Sequence, residues 1–389
     1  MNILMFTWEY PPRIVGGLAR HTEGLAEALV RGGDTVHIIT ADHPGTSEHD
    51  TINGVHIHRV KRYFSSRDFL GWIYDLNQAM IEYAEDLFRN IFVDIIHGHD
   101  WLVTDVVTYL KGKYKTPLIA TIHATERGRW NGIHNETQSY IHSKEWYLTY
   151  ESWRTIVCSN FMKKEVHDNY NLPYDKIDVI PNGIDRRKFD IDFDFLEFRR
   201  RYALDHEKLV MSVGRLVSEK GFHTLVDASG IVLSKFPDAK FVIAGKGPEM
   251  ENLKNHIRSI GIPDGKFLLT GFIDDLSLIK LQKVSDVCVF PSLYEPFGIV
   301  ALEGMASYTP VVVSDIGGFT EIIDHEYTGI TTYTGNPESL AWGILRVLSD
   351  PEHARFMIDN ALRKVIEIFN WDVIAQRTKS VYNYVRSQL

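Results

Sequence analysis

The chain has 389 residues, of which 44% are hydrophobic and 24% are charged, and its formal net charge is -9. This length is too great for one hydrophobic core and suits two domains, and the acidic balance excludes nonspecific nucleic-acid binding as its purpose. No apolar run is long enough to span a bilayer and no basic leader precedes the first strand, so a cytoplasmic protein without a transmembrane segment is expected. Cys158 and Cys288 lie in apolar segments and are predicted to be reduced core thiols.

Short β-rich segments alternate with amphipathic helical patterns along the whole chain. In the first half, strands are predicted at residues 2–6, 35–40, 54–60, 93–98, 117–123, 155–159 and 177–183. In the second half, they are predicted at residues 208–215, 239–247, 266–272, 285–292 and 309–315. Near-continuous apolar strands separated by helices are typical of parallel sheets that are covered on both faces. The pattern therefore predicts an α/β protein with two Rossmann-like domains.

The alternation breaks near Asn182–Asp205, where IPNGIDRRKF leads into a charged stretch. We therefore assign residues 1–185 to an N-terminal domain on the acceptor side and residues 186–370 to a C-terminal domain that binds a nucleotide sugar. Residues 371–389 form a long helical pattern that is expected to pack back toward the N-terminal domain. Open parallel sheets bind ligands at the carboxyl ends of their strands, so the active site is expected in a cleft between the two domains.

The segment FPSLYEPFGIVALEGMA follows a predicted strand and carries Glu295 and Glu303. Glu295 is expected in the loop, and a helix is expected to begin near Gly298. Glu303, one turn into that helix, is then placed to accept hydrogen bonds from a ribose diol. The alternative is a surface helix with two solvated acids. The main-chain amides expected to face an anion or sugar hydroxyls at this helix start are those of Gly298, Ile299 and Val300.

The segment VGRLVSEKG places two cations, Arg215 and Lys220, at a strand–helix junction, with Lys220 expected to open the helix. Such a pair can clamp a diphosphate, whose negative charge grows as a nucleotide sugar loses its sugar. The alternative is an exposed basic turn. Two other glycine pairs, Gly245 with Gly247 and Gly317 with Gly318, are interpreted as tight turns at strand ends.

In the first half, Gly16 and Gly17 precede a helix and let a loop approach a phosphate closely, although no Walker loop follows. After the fifth predicted strand, His123 in TIHATERGR is expected to face the cleft, and a satisfied loop histidine is the alternative.

The segment HGHDW contains His97, His99 and Asp100 and raises the question of a metal site. The set of candidate ligands is poor, because no matched cluster follows downstream. We therefore predict no metal and interpret Asp100 as an acid that binds hydroxyl groups.

With both halves considered, the chain resembles the retaining glycosyltransferases of family 4, which have the GT-B fold. The resemblance covers essentially the whole chain, and its motifs occur in the family's order at strand ends. These motifs are EYPPRIVGGLARH, HGHDW, TIHATERGR, CSNFMKKEV, VIPNGID, GRLVSEKG and EPFGIVALE.

The resemblance implies a role for each matching residue. It implies that Glu295 contacts the donor sugar, with the backbone amides of Phe297 and Gly298 beside it. It also implies that Glu303 binds the nucleotide ribose and that His123 lies near the anomeric carbon. Arg215 and Lys220 hold the diphosphate with help from Gly17, and Asp100 lies near the sugar or the acceptor. No metal or other cofactor is required, and the donor is a nucleotide diphosphate sugar similar to UDP-glucose or ADP-glucose. Glu295→Ala or Lys220→Ala is expected to abolish transfer and to leave the thermal transition nearly unchanged.

Within the family, HGHDW and the Gly16-Gly17-Leu18 loop are most similar to glycogen and starch synthases, which implies α-glucosyl transfer to a glycan. Those synthases commonly carry Lys-Thr-Gly-Gly-Leu, whereas this chain has Ile14 and Val15 before the glycines. The donor-binding lysine is therefore absent, and Arg13 is the candidate substitute.

Other interpretations remain open from sequence alone. A family 4 transferase with a lipid or small-molecule acceptor and a nucleotide-sugar epimerase share the architecture. A glycan phosphorylase would need a pyridoxal-phosphate lysine, for which no motif is present, and a sugar-binding protein without activity is disfavoured by the intact polar residues. Seven aromatic residues are predicted to pack in the core in preference to stacking on sugars. They are Trp101, Trp130, Tyr140, Trp146, Tyr147, Tyr150 and Trp153.

Overall fold

The computed structural model describes residues 1–61 and 68–388. The chain divides into two compact units: Met1–Gly183 together with the C-terminal segment that starts at Trp371, and Ile184–Asn370. Each unit is built on one sheet of mainly parallel strands with helices between them, which confirms the predicted α/β class. Both cysteines are buried and reduced, as predicted. Within the described residues, no helix is both long enough and apolar enough to cross a membrane.

The strands of the first unit are β1 (Asn2–Phe6), β2 (Thr35–Ala41), β3 (His49–Ile52), β4 (Val55–Val60), β5 (Ile95–His99), β6 (Leu118–Ile122), β7 (Arg154–Val157) and β8 (Ile177–Val179). In the described part of this unit they form one sheet in the order β3-β4-β2-β1-β5-β6-β7-β8, and the β3–β4 pair is antiparallel. The order reverses between β1 and β5, so the loops after these two strands border a crevice.

The helices of the first unit are α1 (Gly17–Arg31), α2 (Phe69–Asn90), α3 (Thr104–Tyr114), α4 (Glu126–Trp130), α5 (Glu136–Glu151), α6 (Asn160–Tyr170) and α15 (Trp371–Arg386). The last of these, α15, packs beside α1. Its Trp371 ring fills the space that a side chain on Gly24 or Gly183 would occupy, with ring atoms 2.2 Å and 2.6 Å from the ideal Cβ positions. The two glycines therefore let α15 close onto the first unit's core.

Strand β3 is an element that the sequence patterns did not predict. Its residues HDTI are mostly polar and exposed, so they lack the apolar alternation that signals a half-buried strand. A turn at Asn53 (φ 51°) and Gly54 (φ 82°) folds β3 back onto β4. An Asn-Gly pair is the usual sequence of such a two-residue turn, and this signal was available in the sequence.

The strands of the second unit are β9 (Lys208–Val213), β10 (Ala239–Ala244), β11 (Phe267–Gly271), β12 (Val287–Phe290), β13 (Val311–Ser314) and β14 (Ile330–Thr332), of which β14 was not predicted. They form a parallel sheet in the order β11-β10-β9-β12-β13-β14. Its helices are α7 (Phe195–Arg199), α8 (Phe222–Lys235), α9 (Met250–Ser259), α10 (Asp275–Val284), α11 (Ile299–Ala306), α12 (Phe319–Ile322), α13 (Pro337–Ser349) and α14 (Pro351–Glu367).

The predicted burial of the aromatic residues is wrong for most of them. Trp101 is buried, but Trp146 and Tyr150 on α5 are 44% and 61% exposed. Helix α5 turns Ile141 and Leu148 toward the core, so aromatic residues at other positions around the helix face outward. The other exposed members of the set are Trp130, Tyr140, Tyr147 and Trp153.

Candidate functional site

In the second unit, the loops after β9 and β12 meet where the strand order reverses. Strand β9 pairs with β10 on one side and with β12 on the other. The carbonyl of Glu219, in the loop after β9, accepts the backbone amides of Leu293 (2.8 Å) and Tyr294 (3.3 Å) in the loop after β12. These main-chain bonds hold together the two loops that carry the residues predicted to bind the diphosphate and the sugar.

Lys220 and Glu295 are in direct contact at this junction. Nζ of Lys220 lies 2.7 Å from Oε2 of Glu295, and the hydroxyl of Ser292 donates to the same oxygen at 3.0 Å. Lys220 ends a short 3₁₀ turn, Ser218–Lys220, whereas the sequence predicted that it opens the helix. The difference arises because Gly221, in the left-handed conformation, separates that turn from α8. The site thus has a cation and an acid already paired.

Helix α11 begins at Ile299, directly after Gly298, as predicted. Gly298 has a φ of 106°, and a Cβ on it would lie 2.3 Å from the ring of Phe319. Ile299 and Val300 occupy the first turn, where backbone amides have no partner within the helix. This helix start therefore depends on glycine for two independent reasons, backbone conformation and the lack of space.

The remaining predicted residues of the second unit differ in exposure. Glu303 on α11 is 8% exposed, and Phe297 is buried with its ring 6.1 Å from that of Phe369. The side chain of Phe297 therefore belongs to the packing of the unit. Arg215 is half-exposed and lies 3.5 Å from Glu219 in a loose ion pair.

In the first unit, Glu9 lies beneath the glycine loop that precedes α1. Its carboxylate accepts hydrogen bonds from the backbone amides of Val15 (2.7 Å) and Ala19 (3.1 Å). Burial raises the pKa of Glu9, and these amides oppose the shift. Gly16 is the residue before the helix, in extended conformation, and Gly17 is its first residue. Sequence reasoning missed Glu9, although its position just before the two glycines was visible.

Asp100 and His123 are brought together at the ends of β5 and β6. A carboxylate oxygen of Asp100 accepts the backbone amide of His123 at 2.8 Å. Asp100 is 6% exposed, and burial raises its pKa to about 6. Burial also lowers the pKa of His123 to about 3, with a further contribution from the Arg129 guanidinium. The imidazole of His123 is therefore neutral at physiological pH.

Two further histidines, His21 and His99, surround His123. The ring centroid of His21 lies 4.5 Å from that of His123, and Nδ1 of His99 lies 3.3 Å from Nε2 of His123. Nδ1 of His21 is 2.6 Å from the side-chain oxygen of Asn182. Sequence reasoning did not connect His21 or Asn182 with this site, because along the chain they lie 102 and 59 residues from His123.

Glu145 is another missed residue, and it supports the loop behind His123. Its carboxylate accepts the backbone amide of Glu126 at 2.9 Å and the hydroxyl of Tyr170 at 2.6 Å. Burial raises the pKa of Glu145 to about 8. Arg13, the candidate substitute for the missing lysine, instead donates two hydrogen bonds to the carbonyl of Asp42, at 3.2 and 2.7 Å.

Comparison with known proteins decides the family. The profile described as Glycosyltransferase Family 4 matches residues 15–188, and that described as Glycosyl transferases group 1 matches residues 194–364. The uncharacterized glycosyltransferase MJ1607 of Methanocaldococcus jannaschii is 44% identical, over 98% of each chain. The chain belongs to the family 4 glycosyltransferases. The glycogen synthase of Mycobacterium tuberculosis is 32% identical to this family 4 glycosyltransferase, over 98% of this chain and 94% of that one.

Solved structures share the fold of this family 4 glycosyltransferase over its whole length. Sucrose-phosphate synthase from Thermosynechococcus elongatus has a TM-score of 0.85 at 23% identity and covers 100% of both chains. The catalytic domain of starch synthase IV from Arabidopsis thaliana has a TM-score of 0.79 at 18% identity and covers 99% of both. These neighbours confirm the predicted GT-B fold.

Proposed function

We propose that this family 4 glycosyltransferase is a retaining hexosyltransferase that moves an α-glucosyl group from UDP-glucose or ADP-glucose to a glycan. The observation that carries the proposal is the contact between Lys220 and Glu295. It joins a cation suited to a diphosphate with an acid suited to sugar hydroxyls, at the strand-order reversal where open α/β sheets bind ligands. Because Glu295 already orients Lys220, less side-chain freedom is lost when a phosphate binds.

In the second unit, Arg215 and Lys220 are proposed to hold the diphosphate while Glu295 binds the sugar and Glu303 the ribose. Charge builds up on the diphosphate as the glycosidic bond breaks, so fixed cations stabilise the transition state more than the ground state. The loose pairing of Arg215 with Glu219 leaves its guanidinium able to turn toward a phosphate. The main-chain groups proposed to contact the donor are those of Phe297, Gly298, Ile299 and Val300.

In the first unit, the neutral ring of His123 is proposed to hydrogen-bond the donor sugar near its anomeric carbon. Asp100 positions His123 through its backbone amide, and Gly16 and Gly17 approach the phosphates. The acceptor oxygen forms the new bond on the face from which the diphosphate departs. Its proton passes to the departing phosphate oxygen, so no side chain serves as the nucleophile.

The nature of the donor and acceptor is supported by the relatives. Anabaena HepE, a structural neighbour, has been solved with UDP-glucose, and starch synthase IV with ADP and acarbose. The proposed glycan acceptor is supported by the likeness to glycogen synthase. Arg13, the candidate replacement for the missing donor-binding lysine, is bound to the carbonyl of Asp42. A lipid or small-molecule acceptor and an epimerase are therefore kept as distinct outcomes of the test.

The test is a thermal-shift screen against UDP-, ADP- and GDP-sugars, followed by product analysis. A true donor at 100 times its dissociation constant should stabilise the folded protein by about 2.7 kcal/mol. The product's anomeric configuration is then read by NMR, with and without a glucan acceptor. Turnover without acceptor would identify an epimerase, and inversion of the anomeric centre would overturn the proposal. Failure of every nucleotide sugar to bind would also overturn it.

A further inference from the structure

Three histidines of the first unit converge from separate elements. His21 lies on α1, His99 ends β5 and His123 follows β6. Each offers one ring nitrogen, and these nitrogens all lie within 4.8 Å of one another. We call these three residues the histidine cluster.

One nitrogen of the histidine cluster, Nε2 of His21, is buried without a hydrogen-bond partner and is available as a metal ligand. The side-chain oxygen of Asn182 can only accept, so Nδ1 of His21 carries the proton and its Nε2 presents a lone pair. Buried polar atoms in folded proteins nearly always have partners, and an unmatched lone pair therefore points to a missing ligand.

The histidine cluster differs from the set of candidate metal ligands in the HGHDW motif, which are His97, His99 and Asp100. His97 has hydrogen bonds at both ring nitrogens, to the hydroxyls of Tyr382 and Thr121, each at 2.7 Å. The Asp100 carboxylate is engaged by the backbone amide of His123. Of that motif, only His99 belongs to the histidine cluster, through its Nδ1, and its partners His21 and His123 come from elsewhere in the unit.

We propose that the histidine cluster binds one zinc ion and that the bound ion reversibly inhibits transfer. The inhibitory part rests on the proposed function, because it assumes that the ring of His123 is needed by the sugar. Zinc–nitrogen bonds of about 2.0–2.1 Å put two ligand nitrogens of a tetrahedral site about 3.3 Å apart. Nδ1 of His99 and Nε2 of His123 are already separated by 3.3 Å.

Neighbouring groups explain why the ion acts as an inhibitor and not as a permanent cofactor. Asn182 fixes the orientation and proton position of His21, as partners of metal-binding histidines commonly do. The positive charge of the Arg129 guanidinium acts electrostatically on His123 and also repels a divalent cation. The favourable set of zinc ligands is therefore opposed by one positive charge. Zinc and the donor sugar compete for the ring of His123.

The direct test is titration of the chelator-treated full chain with Co²⁺, which shows strong visible absorption in tetrahedral sites, followed by displacement with Zn²⁺. One equivalent is expected to bind. His99→Gln should abolish the tetrahedral spectrum, and Asn182→Ala should weaken binding by about tenfold. The matched control is His56→Ala, which alters a separate group of stacked histidines on β2 and β4 and should bind like the wild type.

The second measurement is donor turnover with and without Zn²⁺. Zinc should inhibit the wild type and the His56→Ala chain, chelator should restore activity, and higher donor concentrations should weaken inhibition. The ratio of activities with and without zinc should approach one in His99→Gln, whatever its basal rate. Absence of a cobalt spectrum, or a spectrum lost in His56→Ala and kept in His99→Gln, would overturn the site. Metal binding without inhibition would overturn only the competition with the donor.

Discussion

Nζ of Lys220 lies 2.7 Å from Oε2 of Glu295, and the two side chains are 24% and 8% exposed. Removing either partner leaves the other charge largely buried without its counter-ion, which destabilises a fold more than an exposed pair would. The expectation that both alanine variants melt like the wild type is therefore revised. Lys220 and Glu295 are therefore expected to contribute to the stability of the fold as well as to transfer.

Lys220→Ala and Glu295→Ala should each lower the free energy of unfolding by about 1–3 kcal/mol, and the double variant by less than the sum. Chemical denaturation of the four chains measures this coupling. Each single variant should also lower kcat by about 100-fold or more, as loss of a transition-state contact does. Lys235→Ala, at an exposed position at the end of α8, is the matched control. Strictly additive stability changes would contradict the contact.

Glu303→Gln should weaken nucleotide binding by about tenfold, because a hydrogen bond from a ribose hydroxyl to a charged acceptor contributes about 1.5 kcal/mol. The substitution keeps the shape of a side chain that is 8% exposed. Calorimetric titration with the nucleoside diphosphate measures the change. The exposed Glu367→Gln, at the end of α14, should bind like the wild type. A drop in kcat with unchanged nucleotide affinity would exclude the ribose role.

Gly298→Ala should lower the free energy of unfolding by about 2–4 kcal/mol, because the new methyl group combines overpacking with a strained backbone. Its Cβ would lie 2.3 Å from the Phe319 ring at a φ of 106°. The control is Gly230→Ala inside α8, where the nearest atom to the new Cβ is 3.9 Å away, in Ile262. That variant should be stabilised by about 0.5–1 kcal/mol from helix propensity. Equal unfolding free energies for the two variants would contradict the close packing at α11.

Glu145 should make the stability of the protein fall as pH rises from about 4.5 to about 8. Burial raises the pKa of its carboxyl from 4.5 to about 8, with Asp100 adding to the shift and Tyr170 and Arg129 opposing it. Across that window the folded state holds a proton that the unfolded state has released, so unfolding becomes more favourable as pH increases. Glu145→Gln should flatten the slope, because its amide cannot ionise.

Thermal unfolding at several pH values within this window measures the Glu145 effect. Glu136→Gln, at the exposed start of the same helix, serves as the control and should keep the wild-type slope. The difference between the two variants should be small near pH 4.5 and greatest near pH 8. An unchanged slope in Glu145→Gln would show that this carboxyl is ionised in the folded protein throughout the range.

The predictions of strands β1 and β9 and of the start of helix α11 were confirmed, because each depends on a pattern of neighbouring residues. The apolar segments at β1 and β9 form strands because continuous hydrophobic runs suit sheets that are buried on both faces. Helix α11 begins after Gly298, where a Pro-Phe-Gly turn ends the preceding loop. Strands β3 and β14 were not predicted because they are short, and β3 is held mainly by its turn and its pairing with β4.

The sequence by itself determined the α/β class, the family and the residue types at strand ends, because periodicity and motif order are properties of neighbouring residues. Only the tertiary structure decided that Lys220 is paired with Glu295 and that most α5 aromatics face outward. It also decided that His21 and His99 surround His123. The contacts of Lys220 with Glu295 and within the histidine cluster join residues 24 to 102 positions apart. Their distances are set by sheet order and helix packing, which no local pattern encodes.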